Sequence, residues 1–147
     1  LLAMRSGLEI TEYLNEEMFF SIDNLDFAMN AQPAMPQGEI YEYNNVNTML
    51  LNPIIKSIFK EEPHNVLIKE IFDPLGIDRY GLWSDSAGND MTYYGIDLMP
   101  RDFLKFANLF MNNGRIDGNQ IINEEFLKES IKPLSEGLEN GLVCIGV

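Results

Sequence analysis

Pro36-Gln37-Gly38-Glu39-Ile40-Tyr41-Glu42-Tyr43-Asn44-Asn45 decides how this chain is read, because here a glycine-containing loop gives way to an apolar helical pattern starting near Val46. The last three residues offer a phenol and a carboxamide from one turn. A tyrosine so placed can shuttle a proton if neighbouring cations lower its pKa from the reference value of about 10. An asparagine two residues on can hold a substrate amide through both its donor and its acceptor ends. The same residues also fit a structural role, with Asn44 or Asn45 capping the helix and Tyr43 packing as an amphipathic core residue.

The flanking sequence adds four more blocks: Leu2-Ala3-Met4-Arg5-Ser6-Gly7-Leu8 upstream, then Ile71-Phe72-Asp73-Pro74-Leu75-Gly76-Ile77, Pro100-Arg101-Asp102-Phe103-Leu104-Lys105-Phe106, and Asn113-Gly114 through Asn123-Glu124-Glu125. In this order, with Pro36 to Asn45 in second place, they resemble segments of the serine β-lactamase-like family, which includes class C β-lactamases, D,D-peptidases and related esterases. The corresponding family patterns are L-L-x-M-x-S-G-L, P-G-x-x-x-x-Y-S-N, I-F-x-P-L-G-M, T-P-R-D-M-x-x-F and N-G-G-x-x-x-G-x-x-I-I-S-x-E. Three departures stand out: an insertion at Gln37, Asn44 in place of a small residue, and Met99 where a capping threonine is usual. Each block is weak by itself, and their shared order from Leu1 to about Pro133 makes the signal specific.

The resemblance implies a mainly α chain, a helical lobe of the β-lactamase/penicillin-binding-protein-like fold with about five helices and one or two short hairpins. It implies a serine hydrolase acting on amide, β-lactam or ester bonds through an acyl-enzyme, with Tyr43 inheriting the catalytic acid/base role and Asn45 the substrate-amide contact. The family's nucleophile sits in an S-x-x-K motif N-terminal to the first block, and its K-T-G or H-x-G element lies C-terminal to the last. Neither is found in its family position here, so residues 1–147 read as a single lobe of a longer protein, inactive alone and partnered by a missing α/β half. The resemblance calls for no cofactor and no metal, and it suggests the cell envelope or a secreted location. Ser57-Ile58-Phe59-Lys60 spells S-x-x-K but follows Tyr43 in the chain, and the apolar run Ile54, Ile55, Ile58, Phe59 puts Ser57 and Lys60 on a solvated helix face. The competing reading is a stand-alone, non-catalytic helical binding module, whose exposed apolar face would invite homo-oligomers.

Composition agrees with a folded domain. The 147 residues are 46% hydrophobic and 22% charged, which argues against disorder. A net charge of −13 disfavours nucleic acid and anionic membranes as partners. The single Cys144 permits no internal disulfide, and its apolar neighbours from Leu142 to Val147 mark it as a small buried hydrophobe. A metal site would need more ligands than surround the lone His64.

Periodicity places the helices. Asp23 or Asn24 can cap a short one through Met29, and Leu1-Leu2 reads as the last turn of another ended by Gly7. Val46 to Phe59 is a second pattern with Pro53 inside it, which predicts a kink or a restart with Asn52 as cap. Pro63 to Phe72 should bury Leu67, Ile68 and Ile71, and Pro100 to Asn112 should bury Phe103, Phe106, Ala107 and Phe110. A last helix capped by Asn123 should end before Pro133, with a strand at 134–147. Aromatic flanks around Ser84 to Asp90 predict a small hairpin or irregular loop, and a calcium loop there is ruled against by its misplaced glycine and by Ile96 at the twelfth position. Asn112-Asn113-Gly114 and Asp117-Gly118 mark a second tight turn.

Overall fold

Short helices joined by hydrogen-bonded turns make up most of the computed structural model, which describes residues 1–9, 11 and 13–132. The expected strand at 134–147, Cys144 included, lies outside the described residues. The chain packs as two units, one built from Leu1–Pro63 with Leu82–Gly95, the other from His64–Gly81 with the chain from Ile96 onward.

In the first unit, α1 (Leu14–Phe20), α2 (Asn24–Met29), α3 (Asn45–Met49) and α4 (Leu51–Phe59) follow one another. Helices of five to nine residues are too short to persist alone, so packing must hold them. Met18, Ala28, Val46 and Met49 supply it, with Leu8, Leu14, Leu25, Phe27 and Tyr93 against them. Full burial of a Met or Val side chain contributes about 1.5–3 kcal/mol, more than any helix propensity here. Asp23 is the cap of α2, its carboxylate accepting from Asp26 N–H at 2.8 Å. The neighbouring Asn24 is buried instead, its amide donating to the carbonyls of Met18 and Ser21 and to Ser21 Oγ.

Two sequence expectations are corrected in this unit. Residues 1–4 form a turn closed by Met4 N–H to Leu1 O at 2.9 Å, not the end of a helix. Gly7, at φ +73°, is needed for close approach: a Cβ there would collide with the Met35 carbonyl. The long pattern from Val46 does break, but at Leu50 and not with Asn52 as cap. Pro53 has no N–H to give the carbonyl four residues back, Met49, and its ring crowds that carbonyl, which puts the interruption there. Thr92 Oγ1 donates to the carbonyls of Thr48 (2.7 Å) and Met49 (3.3 Å), the second being the one that Pro53 leaves without an amide donor. Asn52 is wholly buried and donates to Asp90 O at 2.8 Å.

The second unit holds α5 (Pro63–Leu67), whose first residue belongs to the first unit and which runs into a π-helical turn (Ile68–Phe72), then β1 (Tyr80–Leu82), whose last residue belongs to the first unit, β2 (Ile96–Leu98), α6 (Pro100–Met111), β3 (Arg115–Ile116), β4 (Asn119–Gln120) and α7 (Glu124–Ser130). β1 pairs with β2, and β3 with β4 antiparallel in the register Arg115↔Gln120, Ile116↔Asn119. Asp117 (φ +47°) and Gly118 (φ +84°) both take the left-handed conformation of a type I′ hairpin turn, as their sequence predicts. The π turn turns the following side chains by about 100° relative to an α-helix, and the buried residue becomes Phe72. Leu67, Ile68 and Ile71, expected in the core, are only half-buried.

Asn123 caps α7 as expected, accepting from Phe126 N–H at 2.9 Å. Pro100 takes the first position of α6, where Met99 offers no side-chain cap. The buried stripe of α6 is another correction. Leu109 and Asp102 face inward, whereas Phe103 and Ala107 are exposed and Phe106 and Phe110 half-buried. Lys105 accounts for the rotation: from the surface its ammonium bridges Asp102 Oδ1 (2.8 Å) and Gly76 O (2.6 Å), which ties the buried Asp102 side of the helix to the rest of the unit.

The Tyr43–Asn45 turn as a candidate active-site wall

The first two matched segments lie against each other. Residues 4–7 run beside residues 34–42, joined by Glu42 N–H to Met4 O (2.9 Å), Gly38 N–H to Arg5 O (2.8 Å) and the N–H groups of Ala34 and Met35 to Gly7 O (2.9 and 3.1 Å). They deliver the chain to Asn44, whose extended backbone (φ −151°, ψ 117°) ends the loop. Its Oδ1 accepts from Val46 N–H at 2.7 Å, making Asn44 the cap of α3.

Extended backbone alternates side chains, so at Asn44 the side chain turns away from that of Tyr43. Asn44 goes inward at 1% exposed, and Tyr43 goes out at 60%. Asn45 is half-buried. Its N–H is held by Asn15 Oδ1 (2.9 Å) and its carbonyl by Thr48 Oγ1 (3.0 Å), which fixes the backbone and leaves its carboxamide, like the Tyr43 hydroxyl, without a hydrogen-bond partner among the described residues. A phenol and an amide on one anchored turn, both with open valences, can engage an incoming polar ligand. The core-packing alternative for Tyr43 does not hold. Asn44 carries a cost of its own, because its Nδ2 is buried with no hydrogen-bond partner among the described residues.

Asn15, from α1, was not legible in sequence; thirty residues separate it from Asn45 and no local pattern links them. Ser57 and Lys60 are both exposed on α4, and Lys60 Nζ bonds the Ser57 carbonyl at 2.5 Å, leaving the hydroxyl without a base.

Elsewhere in the same unit, residues 84–90 wrap around Asp85. Its Oδ1 accepts from the N–H groups of Ala87 (3.0 Å) and Asn89 (2.8 Å), and its Oδ2 from Asn24 N–H (2.8 Å) and Asn89 Nδ2 (3.0 Å). Desolvation opposes ionisation of this carboxyl, but the side-chain bond from Asn89 and the backbone bonds together hold it below the usual carboxylate range. Tyr93 donates to Asn24 Oδ1 at 3.2 Å; burial first and the Asp85 charge second push its pKa up to about 12.

No protein-family profile and no curated protein matches the chain. Solved structures do. A candidate 6-aminohexanoate-dimer hydrolase of Bacillus anthracis matches at TM-score 0.74 and 20% identity over 87% of this chain, and a penicillin-binding protein of Bacillus halodurans at TM-score 0.70 and 16% identity over 99%. The D-amino acid amidase of Ochrobactrum anthropi SV3 matches at TM-score 0.61 and 18% identity over 90%. The chain has the fold of the serine β-lactamase and penicillin-binding-protein group. It spans 39%, 55% and 45% of those three proteins, so it corresponds to part of the β-lactamase/penicillin-binding-protein fold.

Proposed function

We propose that this chain is the helical part of a serine hydrolase that cleaves amide, β-lactam or ester bonds through an acyl-enzyme, and that the Tyr43–Asn45 turn forms one wall of its cleft. The observation that carries this reading is the exposed Tyr43 and the half-buried Asn45 on either side of an inward, helix-capping Asn44, on a fold shared with proteins described as an amidase, a penicillin-binding protein and a dimer hydrolase. In this mechanism a serine from the rest of the protein attacks the substrate carbonyl, and its proton passes by way of Tyr43 to the leaving group as the carbonyl–heteroatom bond breaks. Asn45 holds the substrate's amide, donating through Nδ2 and accepting through Oδ1.

The partner surface belongs to the same reading. Phe103, Leu104 and Met111 on α6 are 62%, 63% and 82% exposed, an apolar face of the kind that another part of a protein covers. We assign its cover to the α/β half. Mass spectrometry of the full-length gene product after exposure to a β-lactam or an activated p-nitrophenyl ester tests the proposal. A stable adduct of acyl mass on a serine outside this chain is expected; no adduct with either reagent class would leave the chain a binding module.

A further inference from the structure

The loop around Asp85 and the aromatic rings beside it form a cavity that the hydrolase reading does not use. Its volume is about 150 Å³, and Phe19, Ser21, Asn24, Trp83, Asp85 and Met91 line it. The rings are held in a network: Phe19 and Trp83 both meet Tyr94 edge to face, at centroid distances of 5.4 and 5.6 Å. Trp83 is seated over Gly95, where a Cβ would strike the indole. Its backbone is tied by Trp83 N–H to Gly95 O (3.0 Å) and Met91 N–H to Trp83 O (3.1 Å). Aromatic walls are thus fixed in place around a small opening.

Asp85 lines this cavity and Asp23 lies next to it, joined to Asp85 through the Asn89 amide. Asn89 Nδ2 lies 3.0 Å from both Asp23 Oδ1 and Asp85 Oδ2, which puts two carboxylate oxygens at most about 6 Å apart. Among the described residues no lysine or arginine pairs with either. Two adjacent carboxylates at a cavity lined by Phe19 and Trp83 favour a cation. The kind of cation follows from the hydrogen bonds already made. The Asp85 oxygens accept four N–H donors between them, so few lone pairs remain for a metal ion or for the N–H groups of a primary amine. A quaternary ammonium needs no lone pair; it binds through charge and through contact of its methyl groups with aromatic faces.

We infer that this cavity binds a quaternary ammonium group, held between Phe19 and Trp83 in the field of Asp23 and Asp85. Its place in the fold gives the site a use. Phe19 lies four residues after Asn15 and so on the same face of α1, one turn on, with about 5–6 Å between their Cβ atoms, and Asn15 is the residue that holds Asn45. An amide or ester carrying a trimethylammonium group could therefore set its cationic end here and its carbonyl near Tyr43. That use rests on the hydrolase reading, whereas the binding does not.

Trp83 is the only tryptophan in the chain, so its emission reports on this cavity alone. Titrating the chain with tetramethylammonium chloride, against sodium chloride at equal ionic strength and against the neutral isostere neopentyl alcohol, is expected to give a saturable emission change for the ammonium only, half-complete at roughly 1–10 mM. Asp23→Asn keeps a capping side chain on α2 and removes one charge, and it should weaken binding about 3- to 10-fold at low salt. Phe19→Leu should weaken it by a similar factor, with circular dichroism confirming that both variants fold. A non-saturating response, or an equal response to neopentyl alcohol, overturns the inference. Ammonium binding by a protein that forms no acyl adduct would sink the hydrolase reading and leave this site standing; an acyl adduct without ammonium binding would do the reverse.

Discussion

Replacing Asn44 separates its two ends, one useful and one costly. The side-chain oxygen satisfies Val46 N–H at 2.7 Å, at the start of a helix only five residues long, and Val46 is itself wholly buried. Asn44→Ala removes that acceptor and strands a buried donor, so its cost should lie at the upper end of cap deletions, about 2 kcal/mol. Asn44→Ser keeps a cap of equal rank and deletes the buried, unpartnered Nδ2, whose desolvation is a standing penalty of about 1 kcal/mol or more. The gain offsets the small void left behind, and the serine variant should come within about 0.5–1 kcal/mol of the parent. Urea unfolding followed by far-ultraviolet circular dichroism reads both, and in a thermal scan the alanine variant should melt roughly 4–8 °C lower. A serine variant as unstable as the alanine one would mean that the Asn44 amide makes a bond beyond those among the described residues.

Further predictions follow from the loop around Asp85, the glycines and the chemistry. Tyr93, with its folded pKa raised above the unfolded value of about 10, adds stability that is complete below pH 10 and disappears as pH rises towards 12. Phenolate absorbance should show one tyrosine titrating near 12, and Asp85→Asn should lower that value; a chain whose tyrosines all titrate together near 10 would contradict the placement. Asp85 works in the opposite sense: its depressed pKa gives stability that is present above about pH 4 and fades only as the pH drops through the lower folded value, so the 84–90 loop should persist in mild acid by NMR. Gly7→Ala puts a methyl into the Met35 carbonyl at positive φ and should destabilise by about 2–4 kcal/mol in urea unfolding, whereas Gly38→Ala, also at positive φ but with open space around it, should cost only about 1 kcal/mol. The isolated chain should not turn over a chromogenic lactam, and Ser57→Ala should change nothing in that assay, since Lys60 is directed to the Ser57 carbonyl.

Local signals were read where chemistry acts within a few residues. Asn123 before two glutamates, Pro100 at a helix start and Asp117-Gly118 between two short strands each dictate geometry to their own neighbours, and the structure places all three as the sequence implies. Tertiary choices were not legible. The apolar residues of α6 surround much of its circumference, so periodicity alone could not select the face; Lys105 reaching Gly76 O selected it. The break before α4 fell at Leu50 and not at Asn52, because the carbonyl that Pro53 frees is Met49's and Thr92, more than forty residues on, receives it. At the candidate site, motif spacing nominates Tyr43 and Asn45, and the extended Asn44 after Tyr43 accounts for the outward turn of the phenol. Asn15, Asp23 and Asp85 come to this region only through folding, and no spacing announces them.

The central claim is that Tyr43 moves the proton during acylation, and single-turnover acylation of the full-length gene product tests it most directly. Tyr43→Phe deletes a hydroxyl that is exposed and unbonded here, so stability should hardly change while the acylation rate falls by roughly 10²- to 10⁴-fold. Asn45→Ala should act through substrate positioning, with unequal losses for amide and ester substrates. A Tyr43→Phe protein that acylates at the parent rate would contradict the account and reduce the tyrosine to a surface residue.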